Sequence, residues 1–415
     1  MSRVVVLVGL LLTLGACGGG DGERRTVQFL AFGDPEELKA YREVIDAFAE
    51  EEPDITVQLV EASDRDDLLA RLATSIAGGA PPDLFLLNYR FYAQFAAKGQ
   101  IHPIDERLAD TDAFEEDDFY AEAMDAFRYD GRLQCLPQNI SSLVVYYNRD
   151  LFEAAGVPLP RAGWTWEQFT DAAVELTDED AGGYGLGVEP TLIRLAPFVW
   201  SNGGELVKRD LSGFDLDTPQ ASEALREFML LRSAYGVIPS EEEVESQDDE
   251  ARFMEGKTAM ILSSRRSTPT FRTISGFEWD VAPLPQFEQP AGILHSDAYC
   301  ITAGSDQKDA AWRFMEFALG PEGQRITARA GRTVPSLKEV AASDAFLDPD
   351  AKPRSSQVFL DGIPTIRRVP VIPEWPELED VAEPVLEEAL YEGNFLGLTE
   401  KLDAATRPIF ERAAR

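Results

Sequence analysis

The chain is short of cations, histidine and cysteine, and each shortage closes off some chemistry. Lysine and arginine number 38 against 74 aspartates and glutamates, a formal net charge of −36. A surface of that sign repels phosphate backbones and anionic lipid heads, so no nucleic-acid partner is expected. Only two histidines, His102 and His295, stand far apart in sequence, and no cysteine sits at metal-ligand spacing. Neither a zinc site nor a cysteine–histidine catalytic pair is expected from them, and no metal or cofactor is expected. Long apolar runs are missing as well: Val4 to Leu12 is too short to span a bilayer, and no later run is longer and as apolar. Low-complexity sequence is confined to Gly18-Gly19-Gly20. What remains is 415 residues of ordinary globular composition, 44% hydrophobic, enough for two or three lobes at roughly 100–200 residues each.

The amino terminus is laid out for export. Arg3 precedes the apolar run, and Leu14-Gly15-Ala16-Cys17 follows it. A small-residue cleavage site directly before cysteine resembles the bacterial lipobox. That resemblance implies a signal peptide and lipobox over 1–17, with Cys17 lipid-modified as the mature N-terminus, and hence an extracytoplasmic chain anchored to the cell membrane. Residues 18–25 read as a flexible linker. The remaining cysteines, Cys135 and Cys300, then lie in a compartment where disulfides persist.

Next comes an alternation of strand and helix. TVQFLAF (26–32) reads as a strand, Leu38 to Glu50 as an amphipathic helix, Ile55 to Val60 as a strand, Asp66 to Ala77 as a helix and Asp83 to Leu87 as a buried strand. Such a series predicts an α/β lobe with a parallel sheet, whose ligands gather beyond the carboxyl ends of the strands, at Phe32-Gly33-Asp34 and Asn88-Tyr89-Arg90. Leu143 to Tyr147 reads as another strand. Leu151 to Ala155 reads as a short helix stopped by Gly156, and Thr165 caps the helix after it.

That last order, YYN, a short helix ending in AAG, proline, then TW-x-x-F, resembles the maltose-binding-like extracellular solute-binding proteins of ATP-driven importers. PPDLF through AAKGQIHPID, the segment FMEGKTAM (253–260), the helix DAAWRFMEFAL (309–319) and VIPEWPELEDVAEPVLEEALYEG (371–393) carry the resemblance across nearly the whole mature chain. It implies a two-lobed periplasmic-binding-protein fold of type II, with lobe one at 26–136 and 303–340 and lobe two at 137–302 and 341–415. It implies a monomer that captures a carbohydrate between the lobes without altering it and delivers it to a membrane permease with a cytoplasmic ATPase. Asp34, Asn88, Arg90, Asn139 and Arg266 are the expected polar contacts, and Tyr89, Trp200 and Trp375 the expected stacking faces. Arg265-Arg266 stand where many members have an aromatic, which favours an acidic sugar over a neutral malto-oligosaccharide unless they are simply a surface pair. Cys135 and Cys300 fall in segments resembling two neighbouring crossover strands, so they are expected to lie within disulfide distance or at least as adjacent thiols. A secreted glycosidase or lyase with paired carboxylates, and a receptor for a sensor kinase, remain open as other classes.

Overall fold

The computed structural model describes residues 25–414, so the expected lipid anchor at Cys17 and residues 18–24 of the linker lie outside the described residues. Strand β1 (Arg25–Ala31) begins one residue inside the stretch read as linker, because Arg25 already pairs with Ile55. Helix α1 (Pro35–Glu51) follows, with Pro35 in its first turn and the Asp34 carboxylate accepting the Glu37 N–H at 2.9 Å. Then come β2 (Ile55–Glu61), α2 (Arg65–Ala77), β3 (Leu84–Asn88) and α3 (Tyr89–Ala96). β1 runs parallel to both β2 and β3, as the intervening helices require.

β4 (Leu136–Pro137) is the last strand before the chain crosses to the second lobe. There β5 (Val144–Asn148), β6 (Tyr184–Gly187), helix α4 (Leu192–Ser201), helix α5 (Asp249–Met254), β7 (Thr258–Ser263) and β8 (Trp279–Ala282) follow in turn. Their sheet has the order β8-β5-β7-β6. Gly156 ends the short helix after β5 in the left-handed region, φ 71°, where glycine carries no Cβ penalty.

β9 (Asp297–Ile301) brings the chain back, inserting between β3 and β4 and antiparallel to both, which gives a first sheet ordered β2-β1-β3-β9-β4. Two expectations are corrected by this strand. The first sheet is mixed, not parallel throughout, because β9 enters from the opposite lobe without a covering crossover helix. Residues 297–301, assigned on sequence to lobe two, pair into the lobe-one sheet. Helices α6 (Lys308–Leu319) and α7 (Pro321–Arg329) complete lobe one, and α8 (Trp375–Glu392) packs with α9 (Leu398–Ala413) on lobe two.

Each lobe has its own aromatic centre. Phe29 stacks on Tyr299 at 5.2 Å beside Phe314 in lobe one, and Tyr146 meets Phe271 and Trp279 in lobe two. Such pairs contribute about 0.5–1.5 kcal/mol beyond area burial. A disulfide joins Cys135 to Cys300 with Cα atoms 4.5 Å apart, tying the strand that leaves lobe one to the strand that returns. The connections between the lobes are stitched by backbone: Ser141 and His295 exchange N–H···O bonds of 2.9 and 2.8 Å, and Ile140 N–H donates to the Val334 carbonyl.

Candidate functional site

The carboxyl end of β3 and the start of α3 face α8 of the other lobe, and the residues around this gap are charged or amide-bearing. Asn88 ends β3 and caps α3, its Oδ1 accepting the Arg90 backbone N–H at 3.2 Å and the Arg90 Nε at 3.3 Å. That cap aims the Arg90 guanidinium across the interlobe gap. Its Nη1 lies 2.6 Å from both oxygens of Glu379, an ion pair in which the two side chains are only 12% and 6% exposed. Trp375, at the start of α8, donates its indole N–H to the same carboxylate at 2.7 Å.

Asp34 sits at the end of the first loop and pairs with Arg332 at 3.3 Å, while Glu37 takes the other side of that guanidinium at 2.6 Å. Burial pushes the Glu37 carboxyl up to about 7, against the pull of Arg332 and the Tyr41 hydroxyl. Asn139 lies in the first connection. Its Oδ1 accepts the Asp297 N–H at 2.7 Å and its amide reaches Asp297 Oδ2 at 3.3 Å, while Asn88 donates to the other oxygen at 3.1 Å. His295, between the lobes, is held well below its ordinary pKa by burial and by Arg90, Arg194 and Arg266, so it is neutral at pH 7.

The expected stacking faces are covered in this arrangement. Tyr89, Trp200 and Trp375 are 0%, 2% and 0% exposed, so none offers a free face for stacking. Large rings at strand ends are drawn into the core. Tyr89 instead accepts the Val369 N–H on its hydroxyl, and the Trp200 ring is covered by the Arg367 guanidinium at 4.7 Å. The two adjacent arginines part company as well. Arg265 is fully buried, bonded to the Gly331 carbonyl at 2.7 Å and Ser356 Oγ at 3.1 Å between the rings of Phe346 and Phe359. Arg266 is exposed and paired with Glu250.

Several residues at the gap escape sequence reasoning: Glu379 and Glu383 on α8, Arg194 on α4, Asp249 on α5, Arg332 and Asp297. Arg194 pairs with Glu189 at 2.8 Å. Glu383, half-buried on the turn after Glu379, has its carboxyl pushed up to about 7 by burial and by Glu379. Only the i, i+4 spacing of Trp375, Glu379 and Glu383 could have marked that face of α8. Among the described residues no group of three metal-ligating side chains is gathered. A cavity of about 520 Å³ lined by Phe48, Glu52, Arg313 and Phe317 lies on lobe one away from this site.

A family model described as bacterial extracellular solute-binding protein matches residues 33–325. The substrate-binding protein Lmo0181 of Listeria monocytogenes, solved in complex with cycloalternan, superposes with a TM-score of 0.86 at 27% identity, covering 94% of this chain and 99% of that one. The mannitol-binding protein of Pseudomonas aeruginosa is 26% identical over 355 residues, 78% of each chain. The maltodextrin-binding protein of Bacillus subtilis (strain 168) is 23% identical over 369 residues, 85% of this chain and 83% of that one.

Proposed function

The chain belongs to the bacterial extracellular solute-binding protein family, and from that membership we propose that it captures a carbohydrate between its lobes and delivers it to the permease of an importer driven by a cytoplasmic ATPase. It is a binding protein and not an enzyme, which sets aside the glycosidase and lyase readings. One observation supports carbohydrate capture above the others: polar groups from both lobes and from the connections converge at one gap. Asn88 and Arg90 come from lobe one, Glu379 and Arg194 from lobe two, and Asn139 with Asp297 from the crossing segments. Amides and charge pairs of this kind hydrogen-bond several hydroxyls at once. A solute touching both walls binds the closed arrangement more tightly and shifts the open–closed equilibrium by that difference.

The relatives named for maltodextrin and mannitol, and the cycloalternan complex, accord with a polyhydroxylated solute. An acidic sugar draws little support from Arg265 and Arg266, since one is sealed inside and the other already holds Glu250. We place Asp34, Asn88, Arg90, Asn139, Arg194 and Glu379 at the solute, with Tyr89, Trp200 and Trp375 supporting the walls from behind. The protein acts as a monomer tethered through a lipid on Cys17, so Cys17→Ala should move it from the membrane fraction to the soluble one, and membrane retention of that variant would count against the tether. Equilibrium dialysis against labelled sugars, followed by chromatography of the recovered sugar, tests capture: bound and unaltered sugar is expected.

A further inference from the structure

Among the described charged side chains around the gap, the Asp249 carboxylate stands without a partner. Arg90 is held by Glu379, Arg194 by Glu189, Arg266 by Glu250, and Arg332 by Asp34 and Glu37. Asp297 is satisfied by Asn88 and Asn139. Asp249 is only 7% exposed, yet its Oδ1 is buried without a hydrogen bond and no cation pairs with it among the described residues.

The position is built by its surroundings. Asp249 opens α5, and its carboxyl rests on the end of β6, where a Cβ at Gly187 would stand 2.8 Å from its Cγ and 2.9 Å from Oδ1. Glycine is therefore required there for the carboxyl to occupy this place. Glu189, Arg194 and Arg252 lie within electrostatic reach of it, and burial followed by Glu189 pushes the Asp249 carboxyl up to about 7. Tyr391, half-buried near the end of α8, feels the Asp249 charge. On the same helix face, two turns earlier, stands Glu383, within reach of Arg194 and with no ion-pair partner among the described residues. A buried, uncompensated carboxylate is costly unless a cation or a proton meets it.

We propose that Asp249 is a subsite for a protonated amine, so that the solute of this chain is an amino sugar or a glycoside bearing an ammonium group. The proposal rests on the carbohydrate-capture reading above. An ammonium supplies three N–H donors and cancels the unmatched charge, whereas a hydroxyl supplies one donor and cancels none. A solute carboxylate would be repelled by Asp249.

Calorimetry of the purified chain near pH 7 with β-1,4-linked diglucosamine, its N-acetylated counterpart and cellobiose tests the assignment. Diglucosamine should bind more tightly than either neutral disaccharide by about 10-fold or more, the scale of one charge-assisted hydrogen bond. Asp249→Asn should erase the difference. If Asp249→Asn does not fold, the comparison of the amine with its acetamide in the parent chain still decides. Equal affinities, or a preference that survives Asp249→Asn, overturn the subsite while leaving sugar capture standing. Absence of binding by every sugar, neutral ones included, overturns both.

Discussion

Arg90 of one lobe and Glu379 of the other meet across the gap with Nη1 at 2.6 Å from both carboxylate oxygens, so the two walls of the binding region are joined by a nearly buried ion pair. Removing one partner leaves the other buried and uncompensated, a cost of about 3–5 kcal/mol in comparable sites. Because the contact exists only while the lobes are together, the loss falls on the closed arrangement. Glu379→Ala and Arg90→Ala should each weaken sugar affinity by roughly 10-fold or more. The double variant should lose much less than the product of the two. Calorimetric titration of the four proteins gives the coupling directly, and additive losses would show that the pair contributes nothing to closure.

Arg265 should matter for stability and not for affinity. It is sealed between Phe346 and Phe359 with its hydrogen bonds directed at Gly331 and Ser356, and burial holds its pKa down at about 9. Arg265→Lys keeps a charge but loses the fork, a cost of about 2 kcal/mol, or roughly 2–3 °C in melting temperature for a chain of this size. Sugar affinity should stay within about twofold of the parent. A large loss of affinity with an unchanged melting point would place Arg265 in the binding site.

The Cys135–Cys300 disulfide closes a separation of 165 residues. Removing a native bridge costs about 2–5 kcal/mol, which corresponds to roughly 3–6 °C here. Cys135→Ser/Cys300→Ser should melt lower by that amount, and added reductant should lower the parent but not the variant. A parent that ignores reductant throughout the transition would argue against the bridge.

Asp249 also sets a pH dependence. Its carboxyl lies at about 7 in the fold against an ordinary 3.8, through burial, Glu189 and Asp248, opposed by Arg194 and Arg252. A raised acid pKa means the unfolded chain releases its proton first, so this group's contribution is fully present below about pH 4 and is lost as pH rises to about 7. Asp249→Asn should therefore melt higher than the parent at pH 8, by a few degrees for a difference on the order of a few kcal/mol, and equal it near pH 4. Melting curves at the two pH values suffice, and an equal offset at both would contradict the assignment.

Much of the scaffold is legible in the sequence because local signals and tertiary demands coincide there. Thr165 caps its helix with Gln168 in a reciprocal box, Gly156 adopts the left-handed conformation, and the alternating elements of 26–87 build the parallel strands. The return strand β9 is legible as a strand, but the sheet it joins is decided by pairing with β3 and β4, which no local pattern encodes. The binding region is harder to read for a related reason. Whether an aromatic stacks on a solute or fills a core depends on what covers it, and Arg367 over Trp200 and Val369 against Tyr89 are distant in sequence. The partner of Arg90 lies 289 residues away, so the pair that spans the lobes leaves no mark in either local segment.

The most direct test of the account is thermal melting of the purified chain with a panel of neutral, amino and acidic mono- and oligosaccharides, with the sugar recovered and analysed afterwards. A solute bound only by the folded chain, at about one hundred times its dissociation constant, contributes roughly 2.7 kcal/mol. With unfolding entropy near 2.1 cal/mol/K per residue, that is a rise of about 3 °C. At least one sugar should give that rise, come back unaltered, and lose its effect in Glu379→Ala. No rise with any sugar, or recovery of a cleaved product, would contradict carbohydrate capture.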